Sequence, residues 1–229
     1  MSLLRFRYQT IEFGELDIHV RTLRSNLEYS DPDGDAEALG ISSANWPLFG
    51  IVWDSAKALA HYMLNQDTDG KRILEVGCGI GLASLALNHG GADITATDYH
   101  PRAGEFLDIN VQLNRGRPIP FVRTGWADAE DSLMGKFDMI IGSDVLYERE
   151  HVHLLANFID RHAQATCEVI IVDPGRGHHA PFSKKMAQLG YLCHQQKIAN
   201  TDYLPETFSC QVLHYYRGDC IPEPADKQS

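Results

Sequence analysis

Apolar positions change period along this chain. In "RFRYQTIEFGELDIHVRTL" they alternate with polar ones, Phe6/Tyr8 and then Leu16/Ile18/Val20 around Gly14, which predicts a β-hairpin. The next stretch, "SDPDGDAEALGISSANWPLFG", is rich in acids and turn formers and reads as a loop with one helical turn. From Asp54, "DSAKALAHYMLN" sets Ala56, Leu59, Ala60 and Met63/Leu64 on one helical face, ended by polar residues and Gly70. Strand and helix patterns then alternate, with strands expected at 72–76, 93–98, 119–124, 137–143, 167–173, 191–198 and 208–216. Helices are expected at 82–89, 101–114, 148–163 and 179–189. Unbroken apolar runs such as "FDMIIGS" and "CEVIIVD" belong to strands covered on both faces, so the pattern predicts an α/β fold around a parallel sheet. The last two strands have no helix between them and should form an antiparallel pair.

Composition narrows the function classes. At 229 residues and 44% hydrophobic, the chain can bury one full core, whereas two equal domains would be cramped. Its formal net charge of -11 repels a polyphosphate backbone, so nucleic acid is not the expected partner; a basic protein or a cationic small molecule fits the field. The five cysteines, odd in number and without C-x-x-C spacing, suit reduced thiols and a cytoplasmic setting. Arg5, Arg7 and Glu12 break any apolar leader, and no run approaches the ~20 apolar residues of a membrane span. No metal site is expected. Asp31, Asp33 and Asp35 alternate like a calcium loop, but Gly34 precedes the third Asp and Ser42 stands where the bidentate Glu belongs. His151/His153 and His178/His179 lack ligand spacing.

The chemistry concentrates in "EVGCGIG", Glu75 to Gly81, directly behind an apolar strand. Gly77, Gly79 and Gly81 let a backbone pass close to a ligand at a helix N-terminus. A Walker loop would continue with Gly-Lys-Ser/Thr, but Gly81 is followed by Leu82 and Ala83. A dinucleotide loop wants Gly or Ala at 82, and Glu75 at the strand end would face a pyrophosphate unfavourably while suiting a cation. Asp98 ends the next strand, where an acid grips ribose hydroxyls, and Tyr99 behind it is placed to stack on a base.

"LEVGCGIGLASLAL" followed by "ATD" resembles the first motifs of the class I, seven-stranded S-adenosylmethionine-dependent methyltransferases. The resemblance spans roughly residues 50–216 and implies a Rossmann-like doubly wound sheet of order 3-2-1-4-5-7-6 with strand 7 antiparallel. It divides the chain into an N-terminal hairpin and loop extension, 1–50, and a methyltransferase domain, 51–229. At strand four, Ser143-Asp144-Val145-Leu146-Tyr147 replaces the [DN]-P-P-[YF] of enzymes acting on adenine or glutamine nitrogen. This D-x-x-Y, with Trp46-Pro47, Glu75 and Asn110, is similar to the family-16 methyltransferase-like branch, which contains many protein-lysine methyltransferases.

The resemblance implies S-adenosylmethionine as cofactor, held by Trp53, Glu75, Gly77, Gly79, Gly81, Asp98, Tyr99, Trp126 and Ser143. Asp144 would orient an incoming amine and Tyr147 wall or hydrogen-bond it. The same residues have plainer readings: Asp144 as a helix cap, Tyr147, Trp53 and Trp126 as packing. Arg176 stands where it could line the substrate mouth. The function expected is N-methylation of a protein lysine. Three alternatives remain: a small-molecule N- or O-methyltransferase, a nicotinamide-dependent oxidoreductase, and a catalytically silent cofactor-binding protein.

Overall fold

The computed structural model describes residues 4–25, 27, 29–128, 134–198 and 201–219. Strands β1 (Phe6–Phe13) and β2 (Leu16–Leu23) form the expected hairpin, closing at Phe13↔Leu16 through Gly14 at φ 69°. The acidic loop contains a single helical turn, α1 (Asp35–Ala38), capped by Asp31, whose carboxylate accepts the Ala36 and Glu37 N–H groups at 3.2 and 2.9 Å. A 3-10 turn at Leu48–Gly50 leads into α2 (Asp54–Met63).

From there strand and helix alternate: β3 (Arg72–Val76), α3 (Leu82–His89), β4 (Asp93–Asp98), α4 (Ala103–Leu113), β5 (Phe121–Arg123), β6 (Phe137–Ser143), α5 (His151–His162), β7 (Ala163–Asp173), α6 (His179–Gln188), β8 (Leu192–Lys197) and β9 (Gln211–Arg217). The seven-stranded sheet runs β5-β4-β3-β6-β7-β9-β8, and β9 is antiparallel to both neighbours. Counted within the sheet this is 3-2-1-4-5-7-6, the order that the resemblance implied.

The unbroken apolar runs follow from period-two side-chain alternation in a sheet covered twice. Ile73, Met139, Ile141, Ile170 and Val172 join α2, α3, α4 and the hairpin on one face. Leu74, Ile140, Val169, Ile171 and Leu213 join α5 and α6 on the other. Each such fully buried aliphatic side chain contributes about 1.5–3 kcal/mol.

Several boundaries differ from expectation, among them the last strand, which starts at Gln211 and not at 208. The strand at 119–124 shortens to β5 because Pro118 and Pro120 have no N–H for the ladder; Pro120 serves only as an acceptor, for Ala96 N–H at 2.9 Å. Helix α5 starts at His151 and not near 148, since the first residues form a turn with His151 N–H on the Glu148 carbonyl at 3.2 Å. Strand β7 begins at Ala163, ahead of the apolar run, because Phe137↔Ala163 extends the pairing past a register shift through the exposed residues Gln164, Ala165 and Thr166. No helix among the described residues is long and apolar enough to cross a membrane.

Candidate functional site

The C-terminal ends of β3, β4, β6 and β7 make one rim, and the loop after β3 is its floor. Gly77, Gly79 and Gly81 all have positive φ, 62°, 55° and 75°, which L side chains rarely adopt. Space closes the same positions. A Cβ at Gly79 would sit 3.0 Å from the Phe49 carbonyl oxygen, and one at Gly81 would sit 2.4 Å from Leu107 Cδ1. At Gly77 the added carbon would meet Val145 Cγ1 at 2.9 Å and Trp126 Cζ2 at 3.9 Å.

Two acids flank this loop and do different work. Asp98 Oδ2 accepts the Gly79 N–H and Oδ1 the His100 N–H, both at 2.8 Å, so the carboxylate pins the loop while keeping unused acceptor capacity. Burial raises its pKa, opposed by these backbone bonds. Glu75 is turned the other way: it accepts the Ser84 N–H at 2.9 Å and a very short bond from the Ser84 hydroxyl, so it caps α3 from beneath. Desolvation pushes its carboxyl up to about 7 despite those bonds.

The predicted aromatic residues are gathered unequally. Trp126 and Tyr147 meet opposite each other on His151, edge to face at ring distances of 4.9 and 4.5 Å, beside Val145 and Gly77. Tyr99 lies against Gly125, and its hydroxyl donates to the Leu39 carbonyl at 2.7 Å, tying the acidic loop to the rim. Trp53 donates to the Leu48 carbonyl at 2.9 Å, which fixes the turn whose Phe49 backs Gly79. Ser143 ends β6 half-buried, in register with Val172.

Asp144 follows it at φ 52°, an unfavourable conformation for a non-glycine residue, held by its N–H on the Val172 carbonyl at 2.9 Å. Its side chain is not a helix cap. Both oxygens are taken by the Arg176 guanidinium, Nε at 2.5 Å and Nη2 at 2.6 Å. Arg176 stands between Gly175 and Gly177, each at φ 90° with open space where a Cβ would go. Tyr147 is 42% exposed, yet its hydroxyl is pushed up to about 12, first by partial desolvation and then by Glu148, Asp98 and Asp144.

The structure adds residues that sequence reasoning had not assigned. His100 stacks on Phe49 at 3.7 Å and supplies an N–H to Asp98; burial drives its imidazole down to about 4. An Asp followed two residues later by a free N–H is an Asx-turn signal that was available in "DYH". Asn110, noted only through the resemblance, accepts the Arg21 N–H on Oδ1 at 2.7 Å, while its Nδ2 donates to the Arg21 and Ile80 carbonyls at 3.3 and 3.5 Å. One side chain therefore ties the hairpin to the glycine loop.

Residues 42–187 match the family profile described as "Lysine methyltransferase". The electron transfer flavoprotein beta subunit lysine methyltransferase of Danio rerio is 32% identical over 186 residues, covering 77% of this chain and 68% of that protein. The Xenopus laevis protein of the same description is 34% identical over 134 residues, covering 57% and 53%. The chain spans about half the length of most of these curated relatives in the matched region. Among solved structures, the T. thermophilus 16S rRNA N2 G1207 methyltransferase in complex with AdoMet and guanosine shares the fold, with TM-score 0.64, 13% identity, 94% of this chain and 51% of that chain covered.

Proposed function

Because the chain belongs to the lysine methyltransferase family, we propose that it transfers a methyl group from S-adenosylmethionine to a lysine side chain of a protein, in the cytoplasm. The residues present fit that cofactor. The three glycines form a tight turn of positive φ behind β3, the Asp98 carboxylate retains lone pairs suited to a diol, and no lysine follows the loop to hold a phosphate. When bound, S-adenosylmethionine supplies a methyl group on a sulfonium sulfur, open to in-line attack by a neutral amine.

The chain's own contribution is placement. Asp98 fixes the loop through Gly79, and Trp126 with Val145 closes the side over Gly77. The observation that carries the acceptor assignment is Asp144, which already seats a side-chain cation at the rim, gripping Arg176 through both oxygens. An incoming lysine ammonium takes that place when Arg176 swings away on its glycine neighbours. There Asp144 orients the nitrogen, and Tyr147, whose hydroxyl stays protonated at neutral pH, donates or walls but does not act as a base. Proton loss from the ammonium then goes to solvent at the open rim.

Calorimetry with S-adenosylmethionine followed by labelled-methyl transfer into a lysate tests the reading. Micromolar binding and labelled methyllysine in protein hydrolysates are expected. Label found solely on small metabolites would remove the protein acceptor, and transfer undiminished in Asp144→Ala with cofactor affinity intact would remove the role given to Asp144.

A further inference from the structure

Among the described residues, the two-stranded hairpin sheet has one covered edge and one open edge. Arg24 N–H bonds the Arg5 carbonyl at 2.9 Å, which sets the alternation of the antiparallel ladder: Arg7, Gln9, Ile11 and Phe13 face β2 with their backbone groups. In β2 the residues turned outward are then His19 and Arg21. Both are met by amides of α4: Asn114 binds His19 N–H at 2.8 Å and its carbonyl at 2.7 Å, and Asn110 binds Arg21 in the same manner. These two side chains, one helical turn apart, stand in for a third strand.

On β1 the same alternation turns the backbone N–H and C=O of Tyr8, Thr10 and Glu12 outward, and nothing among the described residues pairs with them. Tyr8 is 65% exposed, and Thr10 and Glu12 are exposed as well. Across one face of the hairpin lies a groove lined by Arg7 and Gln9 of β1, Thr22 and Arg24 at the end of β2, and Ile51 and Lys57. Lys57 shares Asp54 at 2.8 Å, while Arg7 and Arg24 have no carboxylate partner among the described residues. In a chain of net charge -11 this is a local concentration of cations next to unpaired strand backbone. Ile51 and Val52 continue the groove wall toward Trp53 and the site.

We propose that this edge receives an extended acidic segment of the methyl-acceptor protein, which adds to β1 as a further strand and places its carboxylates on Arg7 and Arg24. The inference rests on the reading that the acceptor is a protein. Backbone hydrogen bonds supply affinity in such strand addition and side-chain pockets supply selection. A second copy of β1 fits poorly, since it would bring Arg7 against the same cations.

The test uses the full chain and a fluorescent synthetic peptide of alternating Glu and Thr, with an alternately N-methylated version and a Lys/Thr version as controls. Anisotropy should show the acidic peptide bound, with both controls weaker by about tenfold or more. Arg7→Glu combined with Arg24→Glu should lower its affinity by a comparable factor of about ten, mainly through slower association and with a weaker salt dependence. Tyr8→Pro removes an outward N–H without touching the ladder to β2 and should act likewise, with circular dichroism confirming that either variant is folded. Equal binding of the N-methylated peptide, unchanged binding by both variants, or a salt-stable dimer lost on Tyr8→Pro would overturn the proposal. Labelled-methyl transfer keeps the two readings apart. Peptide binding without any transfer leaves the docking strand standing and removes the activity, whereas full transfer by variants that no longer bind peptide removes the docking strand alone.

Discussion

Glu168 and Glu75 are both carboxyl groups screened from water within the same sheet, and their surroundings drive them in opposite directions. Near the start of the buried part of β7, Glu168 takes hydrogen bonds from His214 Nε2 at 3.0 Å and Lys71 Nζ at 2.8 Å, and these hold its pKa down to about 2. Tyr216 completes the chain on His214 Nδ1 at 2.7 Å. At the C-terminal end of β3, burial strips Glu75 of water with only Ser84 beside it, and Asp98 adds a smaller repulsion, so its pKa rises to about 7. The lower end of the sheet thus holds its acid charged against cations, while at the other end Glu75 is driven toward its neutral form.

The sharpest way to break this contrast is to empty the lower end. Glu168→Ala should destabilise the fold by about 3–4 kcal/mol, because Lys71 and the buried His214 lose their partner. Urea unfolding measures that, and S-adenosylmethionine affinity should not move; a large loss of affinity would mean that the two ends are not independent.

Glu75 gives the complementary test. Its folded-state pKa lies above the ordinary 4.5, so the native chain keeps a proton that the unfolded chain has lost, and stability is fullest below that window and falls as pH rises to about 7. The loss amounts to roughly 2–3 kcal/mol. Glu75→Gln, which can still accept from Ser84 N–H, should flatten the slope of unfolding free energy between those pH values. Glu168 has the opposite sign, with its contribution present above 4.5 and lost as pH falls toward about 2.

Smaller effects belong to the residues proposed to meet the ligand. Asp98→Asn keeps an acceptor for only one of the Gly79 and His100 N–H groups, so it should cost about 1–3 kcal/mol of stability and weaken cofactor binding about tenfold, or 1.4 kcal/mol, by calorimetry. Tyr147→Phe should lower methyl transfer only severalfold, since the ring and its contact with His151 remain. A loss as large as that of Asp144→Ala would instead make the hydroxyl the dominant group.

Much of the architecture could be read from the residues because periodicity reports burial. Positions 139–141 and 169–172 are consecutively apolar, as a strand covered on both faces requires. The glycine loop was legible for a similar reason: three glycines behind a strand have no cheaper explanation than positive φ, and all three have it. Asp98 was also legible by its place at the end of the second sheet strand. Local sequence therefore determined the element order, the loop and the acid beside it, since each depends on near neighbours along the chain.

Tertiary structure alone decided which way the acids point and what meets them. Glu75 and Asp98 look alike in sequence, yet one turns under α3 to Ser84 and the other up to Gly79. Arg176 and Asp144 lie 32 positions apart and become one bidentate pair only because β6 and β7 end side by side. The amides of Asn110 and Asn114 act as a strand substitute for residues 89 and 95 positions away, a role that no local pattern encodes. Side-chain direction and long-range pairing depend on the packing of whole layers, which is information the chain carries collectively and reveals only when folded.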